Sequence, residues 1–468
     1  MKDLTSGSIP GHIGTMSVQM AIPIFVQTLY FFTDLYFVTK LGDAVTAGVT
    51  SAGNLWFVTL ALTQILNVGT LALVAQAVGA KDRERANLVF NQALMLSLFL
   101  VVIVIVGLYV FSGPYMRAVA ADAETARAGM DYLHWFAPGL GLQFIMIAMF
   151  ATLRGTGIVM PTMIIQMLSL VVNIGLAPVL IAGWGTGRPL GAAGAGLAST
   201  IAVTVGVILC AYYFFKHEKY VAIHRGQMRP RTAVWSKVLA VGLPVGLEFI
   251  LISIVMTIIY YLIRDFGAAA QAGFGVSQSV MRIIMLPAMA VAFAAAPIAG
   301  QNFGARRPER VHETFRWAAL LSIVIMTGLT IVCQFEAEWF MHWFTREEAV
   351  VAVGVEVLVI TSWNFVATGV IFSCSSIFQG LGNTWPVSGA SAFRLVLFVV
   401  PAFWLTSRPG FTLDELWYLS VATMFLQAVA SYLLLRREFA RKLNGDIPRF
   451  LAKGDRPDPP AERGSNEV

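Results

Sequence analysis

Residues 76–90 read QAVGAKDRERANLVF and residues 301–315 read QNFGARRPERVHETF. Laid over each other at an offset of 225, they pair Gln76 with Gln301, Gly79 with Gly304, Ala80 with Ala305, Glu84 with Glu309, Arg85 with Arg310 and Phe90 with Phe315. The same offset holds in both directions along the chain. Gly42, Ala44, Ala47 and Gly48 meet Gly267, Ala269, Ala272 and Gly273, and Gly155, Gly157 and Pro161 meet Gly380, Gly382 and Pro386. Each half is almost entirely apolar and helical in pattern. Two like bundles side by side enclose a cleft, the usual seat of transport in such repeats.

Composition places those bundles in lipid. Hydrophobic residues make up 57% of the 468 and charged residues 12%, against roughly 25% charged in a soluble domain. So few charges cannot cover a water-facing surface, and the length suits about a dozen spans of roughly 20 residues. The net charge of +6 fits retained cytoplasmic loops and gives no reason to expect nucleic acid. Cys210, Cys333 and Cys374 sit in apolar stretches without metal spacing, and read as buried thiols. The first apolar segment, from near Gly14, has no small-residue cleavage site and is expected to remain as a span.

The fold expected is an all-α integral membrane protein of twelve helices in two six-helix lobes, related by a parallel internal repeat around a central cleft. Spans fall at about 14–40, 51–78, 88–112, 130–152, 159–182, 192–216, 236–264, 270–300, 314–335, 350–378, 385–406 and 414–436. This divides the chain into an N-terminal segment (1–13), an N-lobe (14–216), a basic linker (217–235), a C-lobe (236–443) and a disordered tail (444–468). With the N-terminus inside, about 23 basic residues fall on inner segments and about 7 on outer ones, so both termini are expected in the cytoplasm of a multi-pass plasma-membrane protein. The linker, HEKYVAIHRGQMRPRTAVWS, reads as a topology anchor. Gly79 and Gly304 read as C-cap glycines, and Gly155–Gly157 and Gly380–Gly382 as tight turns before Pro161 and Pro386.

Seven stretches in order, FFTDLYFVTKLG, AQAVGAKDRERA, LRGTGIVMP, NIGLAPVLI, PLGAAGAGLAST, PIAGQNFGARR and FQGLGNTWP, resemble the multidrug and toxic compound extrusion (MATE) family over all but the ends of the chain. The resemblance implies a two-lobe exporter driven by an inward proton or sodium gradient.

Charges in hydrocarbon are costly and mark functional positions. Asp34 lies about eight residues, or ~12 Å, below the outer end of helix 1. Asn173 in helix 5 and Ser199 in helix 6 fall at similar depth. A carboxylate, an amide and a hydroxyl suit a hard cation or a proton, and in the proteins this chain resembles these positions form the N-lobe cation site. Many members of the family carry a second acid one turn after that asparagine, where this chain has Ala177. A single carboxylate favours a proton over Na+. Thr368 occupies a helix 10 position that is acidic in some relatives, and its repeat counterpart is Gln143. Glu248, Arg282 and Arg394 are deep in the C-lobe and read either as a buried salt-bridge cluster or as a second coupling or anion site. Candidate cavity-lining residues are Gln27, Tyr30, Gln64, Asn67, Gln143, Thr368 and the Met281, Met285 and Met289 stripe.

The expected function is proton-driven antiport of organic, cationic or amphipathic compounds by alternating access, working as a monomer in the bilayer, with no cofactor beyond H+ or Na+ as coupling ion and no firm metal site. A lipid-linked glycan flippase is the alternative, and it calls for more cavity cations than Arg282 and Arg394 supply. No histidine, cysteine or paired-acid constellation suits an intramembrane enzyme, and nothing suggests a channel filter.

Overall fold

The computed structural model describes residues 1–185 and 187–443, with the side chains of 27–35, 56 and 57 outside the description. Fourteen helices follow one another among them. They are α1 (Ile9–Thr39), α2 (Asp43–Gly79), α3 (Arg83–Val119), α4 (Ala123–Gly155), α5 (Met160–Ile181), α6 (Ala192–Lys216), α7 (Thr232–Ile263), α8 (Ala268–Ile284), α9 (Leu286–Gly304), α10 (Pro308–Met341), α11 (Glu348–Thr361), α12 (Asn364–Gly380), α13 (Trp385–Thr406) and α14 (Leu413–Lys442). Eleven are long and apolar enough to cross a bilayer, and α11 with α12, bent by 54°, makes a twelfth crossing if counted as one span.

The two extra helices arise from breaks that only the second half carries. Expected helix 8 divides into α8 and α9 at Met285, ahead of Pro287, whose ring denies the ladder an N–H. The first-half counterpart of Pro287 is Leu62, and α2 runs through it unbroken. Expected helix 10 divides into α11 and α12 at Ser362 and Trp363, without a proline. There α10 takes up the freed backbone groups. Thr330 Oγ1 donates to the Ser362 carbonyl at 3.0 Å, and Gln334 Nε2 donates to the Val359 carbonyl and the Ser362 hydroxyl, both at 2.7 Å. Such internal satisfaction is what lipid requires of irregular backbone.

The basic runs after α2 and α9 define one end of the molecule, here the basic face. The helices end there with left-handed residues in matched places, Lys81 and Arg306, both at φ 57°. The N–H groups of Asp82 and Arg307 then reach back to the carbonyls of Ala77 and Asn302 at 2.9 and 3.0 Å. Gly79 and Gly304 are therefore not the capping residues expected of them. They are small because the opposite half touches them. A Cβ on Gly79 would stand 1.9 Å from the Gln301 carbonyl oxygen, and one on Gly304 would stand 2.0 Å from that of Gln76. Gly157 (φ 79°) and Gly382 (φ 67°) do hold the left-handed turns expected before Pro161 and Pro386.

Each half lends the start of its first helix to the other. Ile9, Ile13, Met16 and Met20 of α1 pack in one cluster with Ala290, Val291, Ala294 and Ile298 of α9. Farther along, Val38 joins Ala177, Ile181 and Ala195 of the first half. In the same way Val241 and Val245 of α7 pack on Val68 and Ala72 of α2, whereas Val255, Ile259 and Ile263 lie in the second-half core around Phe274 and Trp417. The first-half core gathers Phe90, Leu140, Phe144, Cys210 and Phe214. The three cysteines are free and buried.

The linker is more than a tether with basic residues. It lies along α3 as a ladder: Asn87 Oδ1 accepts from Ala222 N at 2.8 Å, Asn91 Oδ1 from His224 N at 2.9 Å, and Gln92 Oε1 from Arg231 N at 2.7 Å. Its acid, Glu218, turns inward to accept from Tyr220 N at 2.8 Å.

Candidate functional site

The cleft between the halves is shut at the basic face by two amide side chains related by the repeat. Gln76 Nε2 donates to the Gly380 carbonyl and Gln301 Nε2 to the Gly155 carbonyl, each at 2.9 Å. Both partners in these bonds are offset by 225, so the closure has near two-fold symmetry. Either amide would be expensive to bury unmade, and each finds its acceptor only in the other half. Gly69 on α2 and Gly242 on α7 extend the close approach inward. A Cβ would come within 2.1 Å of the Val238 carbonyl oxygen at Gly69, and within 1.9 Å of that of Ile65 at Gly242.

The N-terminal residues reinforce this seam. Lys2 N donates to the Thr156 carbonyl in the α4–α5 turn at 2.9 Å. Leu4, with no exposed surface, donates from its N–H to Gln301 Oε1 at 3.0 Å and accepts at its carbonyl from Asn302 Nδ2 at 3.1 Å. Arg307 Nη1 donates to the Thr5 carbonyl at 2.6 Å and Arg310 Nη2 to that of Gly7 at 3.0 Å. Asp3 folds the segment by accepting from Thr5 Oγ1 and N at 2.6 and 2.8 Å, which holds its carboxyl below the usual range.

In the first half, Asn173 of α5 and Ser199 of α6 come together as expected. Both are fully buried, with Asn173 Nδ2 donating to Ser199 Oγ at 3.5 Å. Ala177, one turn on, is buried in apolar packing. Asp34, Gln27 and Tyr30 lie outside the described side chains.

In the second half, the expected salt-bridge cluster does not form. Among the described residues Glu248 makes no ion pair with Arg282 or Arg394; the pairs present are Arg264–Asp265, His342–Glu338, and Glu438 with Arg441 and Lys442. Instead Glu248 Oε1 of α7 accepts from Ser391 Oγ of α13 at 3.3 Å, and Ser391 accepts from Gln427 Nε2 of α14 at 3.1 Å. Arg394 lies three positions beyond Ser391, with its Nε buried and without a hydrogen-bond partner among the described residues. Arg282 is exposed on α8. A carboxylate on a neutral hydroxyl–amide chain can hold a proton or a small cation more readily than one already paired with a guanidinium.

The methionine stripe is cut by the α8–α9 break. Met281 and Met285, both half-buried, pack against Val280, Ile284, Met326 and Phe365 of the second-half core. Beside the break lies an apolar pocket of about 150 Å³ lined by Val280, Ile283, Ile284, Pro287, Leu329, Phe340 and Trp343. Thr368 spends its hydroxyl on the Asn364 carbonyl at 2.8 Å, and Gln143 is half-buried on α4. Gln64 and Asn67 are engaged by Arg154, a residue given no role in the sequence reading above. Arg154 Nη2 donates to Asn67 Oδ1 at 2.5 Å, and Asn67 Nδ2 donates to Gln64 Oε1 at 2.8 Å. Asn67 is twelve residues before the end of α2, and the guanidinium turns back along α4 from the basic face to meet it, its Nε donating to the Phe150 carbonyl at 3.3 Å. No carboxylate pairs with it among the described residues. Its place in the LRGTG turn hid this, because only the fold shows that the side chain runs back along its helix.

Comparison with known proteins agrees with this architecture. The MatE family model matches residues 20–179 and again 244–404, one match to each half. The chain is 25% identical to the probable multidrug resistance protein YoeA of Bacillus subtilis over 350 residues, covering 74% of this chain and 76% of that protein. It is 23% identical to the multidrug export protein MepA of Staphylococcus aureus N315 over 423 residues, 90% and 92% of the two chains. Among solved structures, a MATE in the bent conformation superimposes with a TM-score of 0.88 at 25% identity, over 96% of this chain and 98% of the other. A multidrug resistance MATE transporter in an outward-facing conformation gives 0.86 at 25% identity, with the same coverage. With two matched family segments, one repeat-related seam and a fold shared nearly end to end, the chain belongs to the MatE family and is a MATE transporter, not an enzyme.

Proposed function

We propose that this transporter exports drug-like organic compounds by alternating access, with an inward flow of protons as the driving force. The observation that carries the reading is the repeat-related closure at the basic face. Two equivalent bundles meeting at one end through a small set of breakable hydrogen bonds are suited to parting and closing there as the lobes rock. The names of the relatives, a multidrug resistance protein and a multidrug export protein, point to the same cargo class. The basic face is the cytoplasmic one by its charge, so the closed seam corresponds to a cleft facing outward from the plasma membrane.

Coupling is assigned to Asp34 together with Asn173 and Ser199, and to Glu248 in the second half. Each lobe then has one acid at membrane depth. Glu248 is supported by its neutral partners Ser391 and Gln427. A lone acid per lobe favours protons over Na+, which wants several oxygen ligands. The test is transport in proteoliposomes with pH and sodium gradients imposed separately. Uptake driven by the pH gradient alone supports protons; uptake that follows sodium alone refutes them.

A second reading of the cargo rests on Arg154. An inward-turned guanidinium with no carboxylate partner among the described residues favours a substrate with an acidic group, the property also wanted of a lipid-linked glycan carrier. Paired anionic and cationic dyes in the same vesicles separate the two cargo classes.

A further inference from the structure

We infer that residues 1–7 are a latch across the seam, and that this segment must let go of the first half each time the cleft opens at the basic face. The segment binds both lobes at once. Its tip is fixed to the first half through Lys2 N on the Thr156 carbonyl, and its body to the second half through Gln301, Asn302, Arg307 and Arg310. Leu4 is fully buried in a cluster that holds Val159 from the first half together with Ala294 and Ile298 from the second. Gly157 leaves room for this crossing, since a Cβ there would stand 2.7 Å from the Lys2 carbonyl oxygen.

A lobe movement at this end must separate Gln76 from Gly380 and Gln301 from Gly155. Gln301 is also the acceptor for Leu4, so the amide that staples the lobes is oriented by the strap. The bond to Thr156 must break in the same movement, because residues 4–7 stay on α9 and α10 while the α4–α5 turn leaves with the first half. The linker that leads into α7 is the positional counterpart of this segment. It is bonded along α3 to the half it comes from. The latch is thus an asymmetric device added to a nearly symmetric gate.

This inference rests on the alternating-access reading, and the experiment separates the two. The reporter is Ala72→Cys, buried where α2 meets α7, in the whole chain with Cys210, Cys333 and Cys374 replaced. A membrane-impermeant maleimide is applied at the basic face of inverted vesicles, with dye transport measured in parallel. Removal of residues 2–7 is expected to speed labelling about tenfold, the effect of losing one hydrogen bond and one buried anchor across the seam. Leu4→Ser, which keeps the chain length, is expected to speed it about threefold. Labelling unchanged in both variants overturns the latch, as does loss of both from the membrane, which would make the segment a folding element. Absence of transport by the whole chain would refute the alternating-access reading and leave the labelling comparison to be judged on its own terms.

Discussion

Replacing Gly304 by alanine is the sharpest probe of the seam. In an ordinary helix the change is favourable by nearly 1 kcal/mol, and Gly304 is the last residue of α9 with no positive φ to lose. Here the new methyl would lie 2.0 Å from the Gln76 carbonyl oxygen and 2.8 Å from its carbon. Normal contact needs roughly 3.4 Å, so α2 and α9 must part by more than about 1 Å. The atom in the way belongs to backbone inside a helix and cannot swing aside. Overpacking of this kind costs about 1–3 kcal/mol, and it falls only on the state in which the two helices touch. A 2 kcal/mol penalty shifts the closed–open equilibrium about thirtyfold toward opening at the basic face. The assay is maleimide labelling of Ala72→Cys from that face, with thermal stability in detergent as the control. Faster labelling with little change in melting temperature is expected, and Gly79→Ala should match it by symmetry. Wild-type labelling in both variants would refute the claim that these glycines exist for contact between the halves.

Three further outcomes follow from the sites. Asp34→Asn should abolish proton-driven efflux while leaving folded protein in the membrane; resistance equal to wild type would remove Asp34 from the mechanism. Glu248→Gln keeps the hydrogen bond from Ser391 and should lower turnover and flatten its pH dependence without lowering the melting temperature, whereas a loss of stability with normal turnover would make the residue structural. Gln334→Leu strips two donors from the α11–α12 break and should cost about 1–3 kcal/mol of stability. An unchanged melting temperature would show that the bend does not depend on α10.

Much of the architecture was legible because lipid leaves few choices: long apolar runs, a charge asymmetry and a gapless repeat fix span number and pairing. The two breaks were not. Pro287 was one of several membrane prolines, and Pro138 sits in α4 without dividing it, so proline alone does not locate a break. The α11–α12 bend depends on acceptors and donors in α10, which no local pattern reveals. The repeated glycines were visible and their importance was clear, yet their role was misassigned, since a glycine that ends a helix and one that admits a neighbouring carbonyl look alike in sequence. The same holds for Gln76 and Gln301, conspicuous as a matched pair but without visible partners. That Asn173 and Ser199 would lie at one height was legible from depth and from the resemblance, and their side chains do meet. Arg154 was missed because span counting placed its Cα at the interface while its side chain turns inward.

The exchange of helix starts between the halves bears on how the protein is made. The apolar face of α1 that carries Ile9, Ile13, Met16 and Met20 is completed by α9, nearly 300 residues later. At ribosomal rates of about 5–20 residues per second, that partner arrives roughly 15–60 s after α1 enters the bilayer. Through that interval lipid, or the insertion machinery, must cover the waiting surface. Neither half can mature as a finished unit ahead of the other, and biogenesis of the first lobe is completed only by synthesis of the second.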